Sequence, residues 1–249
     1  MLVLLTNDDG IYAEGLNALA AEIKRFAEVL VVAPDREQSA SSHSFTLNRP
    51  LRINQRGPNR YSCDGTPTDC VMLATHGILK NRMPDLLISG INHGANMGED
   101  VTYSGTVAAA IEGSILGIKS LAVSNTDTEN IDSYKPAAKF IAKFIKQIDK
   151  FNFPTDLFLN INFPALYGTK FSEYRYTKLG KRVYNDIVIE KTDPRGKNYY
   201  WIAGESVWKN VDGSDYEAVS TGAVSISPLK VNFSDVDALD RMKQIKLKL

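Results

Sequence analysis

The chain begins on an unbroken apolar run, Leu2-Val3-Leu4-Leu5, and runs of the same kind return at Val29–Ala33, Leu86–Ile88, Leu121–Val123 and Leu157–Ile161. Short continuous apolar runs, rather than alternating ones, mark strands covered on both faces, as in a parallel sheet. Between the runs, apolar residues recur at helical spacing. Leu16, Leu19, Ala20, Ile23 and Phe26 do so within Glu14–Phe26, and helical stretches follow from about Thr106 to Leu116 and from about Tyr134 to Ile148. Strand–helix–strand repetition predicts right-handed crossovers and an α/β fold, a Rossmann-like doubly wound, mostly parallel sheet over about residues 1–165. In such sheets ligands sit outside the carboxyl ends of the strands, so the polar segments that follow the strands are where chemistry belongs.

After Pro164 the pattern changes. Tyr174, Tyr176, Tyr184, Tyr199, Tyr200, Trp201 and Trp208 cluster among polar residues and glycines without helical period. Ile187–Ile189 and Val224–Ile226 read as strands of hairpins or extensions. A short helix from Ser234 to Met242, with Ser234 as its N-cap, precedes a tail that alternates basic and apolar residues. The expectation is a single domain over 1–249, whose β-rich region from about residue 166 serves either as an oligomerisation arm or as a simple cap on the core.

The 249 residues carry 29 Lys plus Arg and 29 Asp plus Glu, so no net field draws in a nucleic-acid polymer or an anionic membrane. Phosphate recognition, if present, is local. No apolar stretch approaches the roughly 18 residues of a membrane span. The first run is too short for a signal segment and leads into Asn7-Asp8-Asp9 rather than a cleavage site. The two cysteines, Cys63 and Cys70, have neither zinc-site nor redox-pair spacing. They read as passive packing groups, and a cytoplasmic location is expected.

Three polar clusters follow predicted strands. In Thr6-Asn7-Asp8-Asp9-Gly10, two adjacent carboxylates repel each other, and desolvation raises that cost. A divalent cation removes the conflict, while Gly10 permits the tight turn that lets both side chains converge. Taken alone, the pair reads equally well as a solvated turn that caps a helix. The second cluster, Ala33 to Ser44, is rich in serines whose hydroxyls and backbone amides can bind a metal or phosphate oxygens. Its His43 suits either hydrogen bonding or acid–base work. The third runs from Ser89 to Gly98 after a strand predicted to end at Ile88, and continues through Tyr103-Ser104-Gly105-Thr106 into an Ala-rich helix. Its glycines suit close backbone approach to a ligand. That helix would aim amide donors and a positive dipole end at an anion, with Ser104 or Thr106 capping it or touching the same phosphate. Carboxylate, hydroxyl and carboxamide oxygens together suit Mg²⁺, Mn²⁺ or Ca²⁺. A metal beside a helix-borne phosphate site is an arrangement for phosphoryl transfer, with water activated near neutrality.

These residues resemble a known family. The stretches LLTNDDGIYAEGL, VVAPDREQSASSHSFTLNRPL, CDGTPTDCV and PDLLISGINHGANMGEDVTYSGTVAAAIEG are similar, in order and spacing, to those of the SurE survival-protein nucleotidases. The resemblance spans nearly the whole chain. It implies a Rossmann-like core whose C-terminal extension exchanges between subunits, giving a homodimer or homotetramer. It implies a metal-dependent 5′- and 3′-nucleotidase acting on nucleoside monophosphates, often with activity on short polyphosphate. One divalent cation per subunit, Mg²⁺ or Mn²⁺, would be held by Asp8, Asp9, Ser39 and Asn92. Asn96 and Ser104 fall on positions that line the phosphate pocket. Where many relatives have glycine after the ligand serine, this chain has Ala40, which would be strained if the backbone needs a positive φ.

Rival readings differ in chemistry. A haloacid-dehalogenase-type phosphatase also places acids after the first strand, but in a D-x-D pattern with an aspartyl nucleophile, whereas here the acids are adjacent. A nicotinamide dehydrogenase lacks its G-x-G-x-x-G turn here. A non-catalytic sugar- or nucleotide-binding module is the third, since fold does not fix function.

Overall fold

Each apolar run becomes a strand because its alternate residues find a separate helix layer on each side. The computed structural model describes residues 1–245 except 81, 151, 152, 155, 167, 169 and 172. In chain order the first half comprises β1 (Leu2–Thr6), α1 (Glu14–Ile23), β2 (Glu28–Pro34), β3 (Ile53–Gly57), β4 (Arg60–Cys63), α2 (Pro67–Met72) and β5 (Leu86–His93). There follow α3 (Gly105–Ile115), β6 (Lys119–Asn125), α4 (Tyr134–Ile145) and β7 (Leu157–Phe163). The C-terminal region adds β8 (Tyr174–Tyr176), β9 (Lys181–Thr192), β10 (Asn198–Lys209), α5 (Asp215–Ser220), β11 (Val224–Lys230) and α6 (Val236–Lys243).

Among the described residues, nine strands form one mostly parallel sheet in the order β3-β4-β2-β1-β5-β6-β7-β11-β8. Val3, Leu5, Val31 and Ile88 face Leu16, Leu19 and Ile23 of α1 and Ile141 and Ile145 of α4. Their neighbours Leu2, Leu4, Leu30 and Leu87 face the other way, onto Cys70 and Val71 of α2 and Ala109 of α3. Cys63 and Cys70 are both buried free thiols in this second layer. Burying a Leu or Ile side chain is worth about 1.5–3 kcal/mol, so this two-sided coverage is the main force holding the sheet flat against its helices. The chain winds outward from β1 through β2 and β4 on one side and through β5, β6 and β7 on the other. The crevice between the carboxyl ends of β1 and β5 is therefore the switch point.

The structure differs from the sequence expectations at several places. The strand expected to stop at Ile88 continues to His93, so Asn92 is a strand residue rather than a loop residue. The polar strands β3 and β4 and the short α2 carry no apolar run to announce them. α2 is held by a capping box between Thr66 and Asp69. α1 ends at Ile23 and α4 at Ile145, each shorter than its apolar period. The last helix is capped by Asp235, whose side chain accepts from the Ala238 amide, rather than by Ser234. β11 returns to pair antiparallel with β7, so part of the C-terminal region completes the core sheet instead of standing outside it. Among the described residues β9 and β10 pair with each other alone, as a long hairpin. No helix among the described residues is long and apolar enough to cross a membrane.

Gly15 tests how tightly α1 is seated over β5. Helix propensity alone favours Ala over Gly by about 1 kcal/mol. An added Cβ, however, would lie 2.0 Å from the Ile91 carbonyl oxygen. Overpacking against backbone wins, and Gly15→Ala is expected to lose about 2 kcal/mol or more in thermal denaturation. An unchanged or raised Tm would mean that α1 can move away from β5.

Candidate active site at the β1–β5 crevice

The site begins where β1 runs out. Asn7 closes the turn on itself, its side-chain amide donating to the Gly10 carbonyl at 3.0 Å and its oxygen accepting from the Gly10 amide at 3.3 Å. Gly10 sits at φ +104°, a conformation that side chains rarely adopt. The Gln38 amide donates to the Asp8 carbonyl at 2.8 Å, which ties the serine-rich loop to the same turn.

Asp8 is only 5% exposed. Its carboxylate accepts from the Thr106 amide at 3.0 Å and from the Thr106 hydroxyl, both in the first turn of α3. Asp8 is thus itself an anion at that helix N-terminus, where the helix dipole favours it. Asp9 lies on the other side of the turn, and its Oδ2 accepts from the His93 amide at 3.1 Å. The His93 ring is in turn bonded through Nδ1 to the Tyr134 hydroxyl at 2.9 Å. The two carboxylates are therefore gripped by the two elements flanking the switch point, β5 and α3.

Burial holds the Asp8 carboxyl above its ordinary range despite the Thr106 hydrogen bonds. Asp9 is pushed up to about 7, first by burial and then by the charge of Asp8, with a smaller push from Glu37. Tyr134 is raised to about 12 by burial and then by Asp9.

The other residues singled out from the sequence gather here. Asp8, Ser39, Asn92, Asn96 and Ser104 line one cleft of about 250 Å³. The Ser39 hydroxyl donates to Glu37 at 2.5 Å, which leaves its oxygen lone pairs available. The Asn92 amide nitrogen donates to the Gly94 carbonyl at 2.8 Å, so its oxygen is the group left for a ligand. Asn96 is clamped by Asn160 and Asn162 through its backbone. One hydrogen of its side-chain nitrogen goes to Ser124 at 2.8 Å, and the other remains. Ser104 caps α3 by accepting from the Val107 amide at 3.1 Å and keeps its hydroxyl hydrogen. Thr106 differs from its expected phosphate-binding role. It is fully buried, and both its amide and its hydroxyl are engaged by Asp8. His43 pairs with the buried Glu112 on α3 at 2.9 Å and is not among the residues lining the cleft.

Ala40 adopts φ +56° and Ser42 φ +52°, the left-handed backbone at which a glycine would be unstrained. A residue with a Cβ costs roughly 1–2 kcal/mol there. Both residues lie in the loop that carries Ser39, and outside it Asn59 and Lys80 adopt the same left-handed backbone.

Asp8, the Ser39 hydroxyl and the Asn92 carboxamide bring to one cleft hard oxygens of the kind a Mg²⁺- or Mn²⁺-type cation takes, with Asp9 next to Asp8 but not among the lining residues. The physical reason for a cation is the pair itself, two carboxylates whose ionisation burial and mutual repulsion oppose. Among the described residues no group of three or more His, Cys, Asp or Glu is disposed to hold a metal, so neutral oxygens would have to complete the set.

One wall of the cleft comes from residues the sequence did not mark as site residues. Asp100, Tyr103 and Tyr184 line it, the last from β9 in the C-terminal region. Asp100 accepts from both the Arg182 guanidinium and the Tyr184 hydroxyl, and the Arg182 amide donates to Glu99 at 2.7 Å. Asp100 and Tyr103 sit inside the glycine-rich stretch and were open to suspicion. Tyr184 and Arg182 reach the site only through tertiary folding, and no local spacing signals them.

The doubly wound, mostly parallel sheet with helices on both faces defines an α/β protein with its paired carboxylates at the switch point. Residues 3–186 match the family described as Survival protein SurE. The chain belongs to the SurE family. It is 46% identical to the 5′-nucleotidase SurE of Geotalea daltonii over 245 residues, covering 98% of each chain. It is also 46% identical to the 5′-nucleotidase SurE of Citrifermentans bemidjiense over 248 residues, covering 99% of this chain and 100% of that one. The crystal structure of the SurE protein from Aquifex aeolicus superposes with a TM-score of 0.87 at 42% identity, covering 98% of each chain.

The raised carboxyls fix a pH dependence of stability. Asp9 titrates near 7 in the folded chain, against 3.8 ordinarily, so between those values the folded state binds the extra proton. Its contribution is present at low pH and is lost as pH rises through about 7. Chelator-stripped protein is therefore expected to lose Tm between about pH 5 and about pH 8, with added Mg²⁺ or Mn²⁺ restoring more at the upper end. A metal effect on Tm that is the same at both ends would contradict the coupling.

Proposed function

We propose that the chain is a divalent-metal-dependent phosphomonoesterase that hydrolyses nucleoside 5′-monophosphates, with 3′-monophosphates and short polyphosphate as further substrates. The names of its relatives, 5′-nucleotidase, support the first activity. The observation that carries the reading is the buried Asp8–Asp9 pair at the switch point, with α3 beginning beside it.

In this reading Asp8, Asp9, Ser39 and Asn92 hold one cation per subunit. When bound, such a cation supplies Lewis acidity toward a phosphoryl oxygen and toward water. The chain's own groups do the rest. Thr106 orients Asp8, and the His93 amide orients Asp9. The spare hydrogens of Asn96 and Ser104 face the same cleft and are the donors for phosphate oxygens. An aspartyl nucleophile fits the sequence less well, since the D-x-D pattern of that chemistry is replaced here by the adjacent acids Asp8 and Asp9.

Association into a homodimer or homotetramer belongs to the same proposal. The β9–β10 hairpin and α6 expose Val188, Ile202, Leu239 and Met242, and Phe233 beside α6 is 90% exposed. Apolar groups so far from a core commonly anchor interfaces. Leu247 and Leu249, tail residues that support the same expectation, lie outside the described residues.

A metal-by-substrate activity matrix on chelator-stripped protein tests the function. Turnover of nucleoside monophosphates is expected to vanish without metal and to return with Mg²⁺ or Mn²⁺. Asp9→Asn is expected to cost about 10²-fold or more in rate, since even changes behind the ligands typically cost 10–100-fold. Asn92→Ala, losing one neutral ligand, is expected to regain part of its rate in excess metal. Full activity in metal-free protein would end the proposal. For the assembly, sedimentation at micromolar concentration is expected to give a dimer or larger, and a compact monomer would count against it.

A further inference from the structure

A run of stacked groups leads from the C-terminal region to the cleft and stops there. The Tyr216 and Trp208 rings stack at 4.6 Å with an interplanar angle of 8°. The Arg182 guanidinium lies over Trp208 at 5.3 Å and over the Tyr184 ring at 4.9 Å. Tyr184 is the last member. It lines the same cleft as Asp8, Ser39 and Asn92, yet its side of the stack is unfinished, and the residue stays 40% exposed.

The stack is held rigidly. Arg182 and the Tyr184 hydroxyl both bond Asp100, and burial with that hydrogen bond raises the Tyr184 phenol to about 12, so it remains a neutral donor. Behind it, the buried Asp215 accepts from the amides of Gly98 at 2.9 Å, Gly180 at 2.7 Å and Tyr216 at 2.8 Å. These bonds join the glycine-rich stretch to both ends of the run. A ring fixed on its edge by a hydrogen bond, braced on a face by a guanidinium and open toward a phosphate cleft is a platform for one more flat group. Tyr103, 61% exposed, lines the same cleft and adds a second apolar surface.

We propose that Tyr184 is the specificity-determining residue for the nucleoside part of the substrate, stacking the nucleobase as the next layer of the run. This rests on the nucleotidase reading above and adds to it the group that tells a nucleotide from a phosphate ester without a base. Every base presents a π face, so a stacking wall selects nucleosides without ranking bases by hydrogen bonding.

The test compares the wild-type protein with Tyr184→Ala and Tyr184→Phe, in saturating Mg²⁺ or Mn²⁺, on adenosine 5′-monophosphate and on ribose 5-phosphate. For Tyr184→Ala, KM for the nucleotide is expected to rise about 10-fold with kcat little changed, while both constants for ribose 5-phosphate stay as in the wild type. Tyr184→Phe keeps the ring and is expected to behave as the wild type on both. An Ala variant that loses equally on the two substrates, or loses nothing on the nucleotide, would overturn the proposal. So would a Phe variant as impaired as Ala, which would assign the effect to the Asp100 bond. Wild-type protein inactive on both phosphates would instead bring down the nucleotidase reading itself.

Discussion

Two carboxylates that cannot both ionise comfortably stand at the end of β1, and the architecture around them follows from keeping them there. Asp8 has lost nearly all contact with water, and Asp9 feels both its own burial and the charge of its neighbour. Ionising such a pair costs stability at neutral pH, and a cation held between the two would offset that cost. The compensation available within the chain is incomplete. The first turn of α3 gives Asp8 two donors, and β5 gives Asp9 one. Both elements reach the pair because the sheet changes winding direction between β1 and β5. The switch point is thus where the topology opens a crevice and also where the unsatisfied charge is concentrated.

The C-terminal region takes part in the site as well as in the surface. β11 pairs with β7 and extends the sheet, while the base of the β9–β10 hairpin packs on the segment from Gly98 to Tyr103. Arg182, Asp100 and Tyr184 form one bonded group, and Asp215 gathers three amides from segments far apart in sequence. A movement of the hairpin would therefore be felt in the cleft, because an ion pair and several hydrogen bonds to carboxylates join them. The same hairpin carries exposed apolar residues toward its far end, so the surface suited to subunit contact and the wall of the site share one element.

How much of this was legible in the sequence depended on where the driving force lay. The apolar runs at Leu2, Val29, Leu86, Leu121 and Leu157 revealed the buried strands because each is packed on both faces. β3 is an edge strand of the sequence Ile-Asn-Gln-Arg-Gly, mostly exposed, and it exists through pairing with β4 rather than through hydrophobicity. Asn7-Asp8-Asp9-Gly10 stood out because two adjacent acids at a strand end repel each other, although a solvated helix-capping turn explained them equally well until the fold showed their burial. Asn92 and Asn96 stood out through their glycines. Thr106 was assigned to the phosphate because it begins a helix, and only the fold shows that the anion it serves is Asp8. Tyr184 could not have been found. The sequence placed it only in an aromatic cluster without helical period, and its position beside the cleft is fixed by Asp100, more than eighty positions away.

In the proposed mechanism Asp8 and Asp9 hold a cation while water attacks phosphorus directly, and neither residue ever carries the phosphoryl group. Phosphorus stereochemistry tests this most directly. With a chiral, isotopically labelled phosphate monoester, a single in-line displacement by water is expected to give inorganic phosphate of inverted configuration. Net retention would mean two successive displacements through an aspartyl-phosphate and would contradict the account.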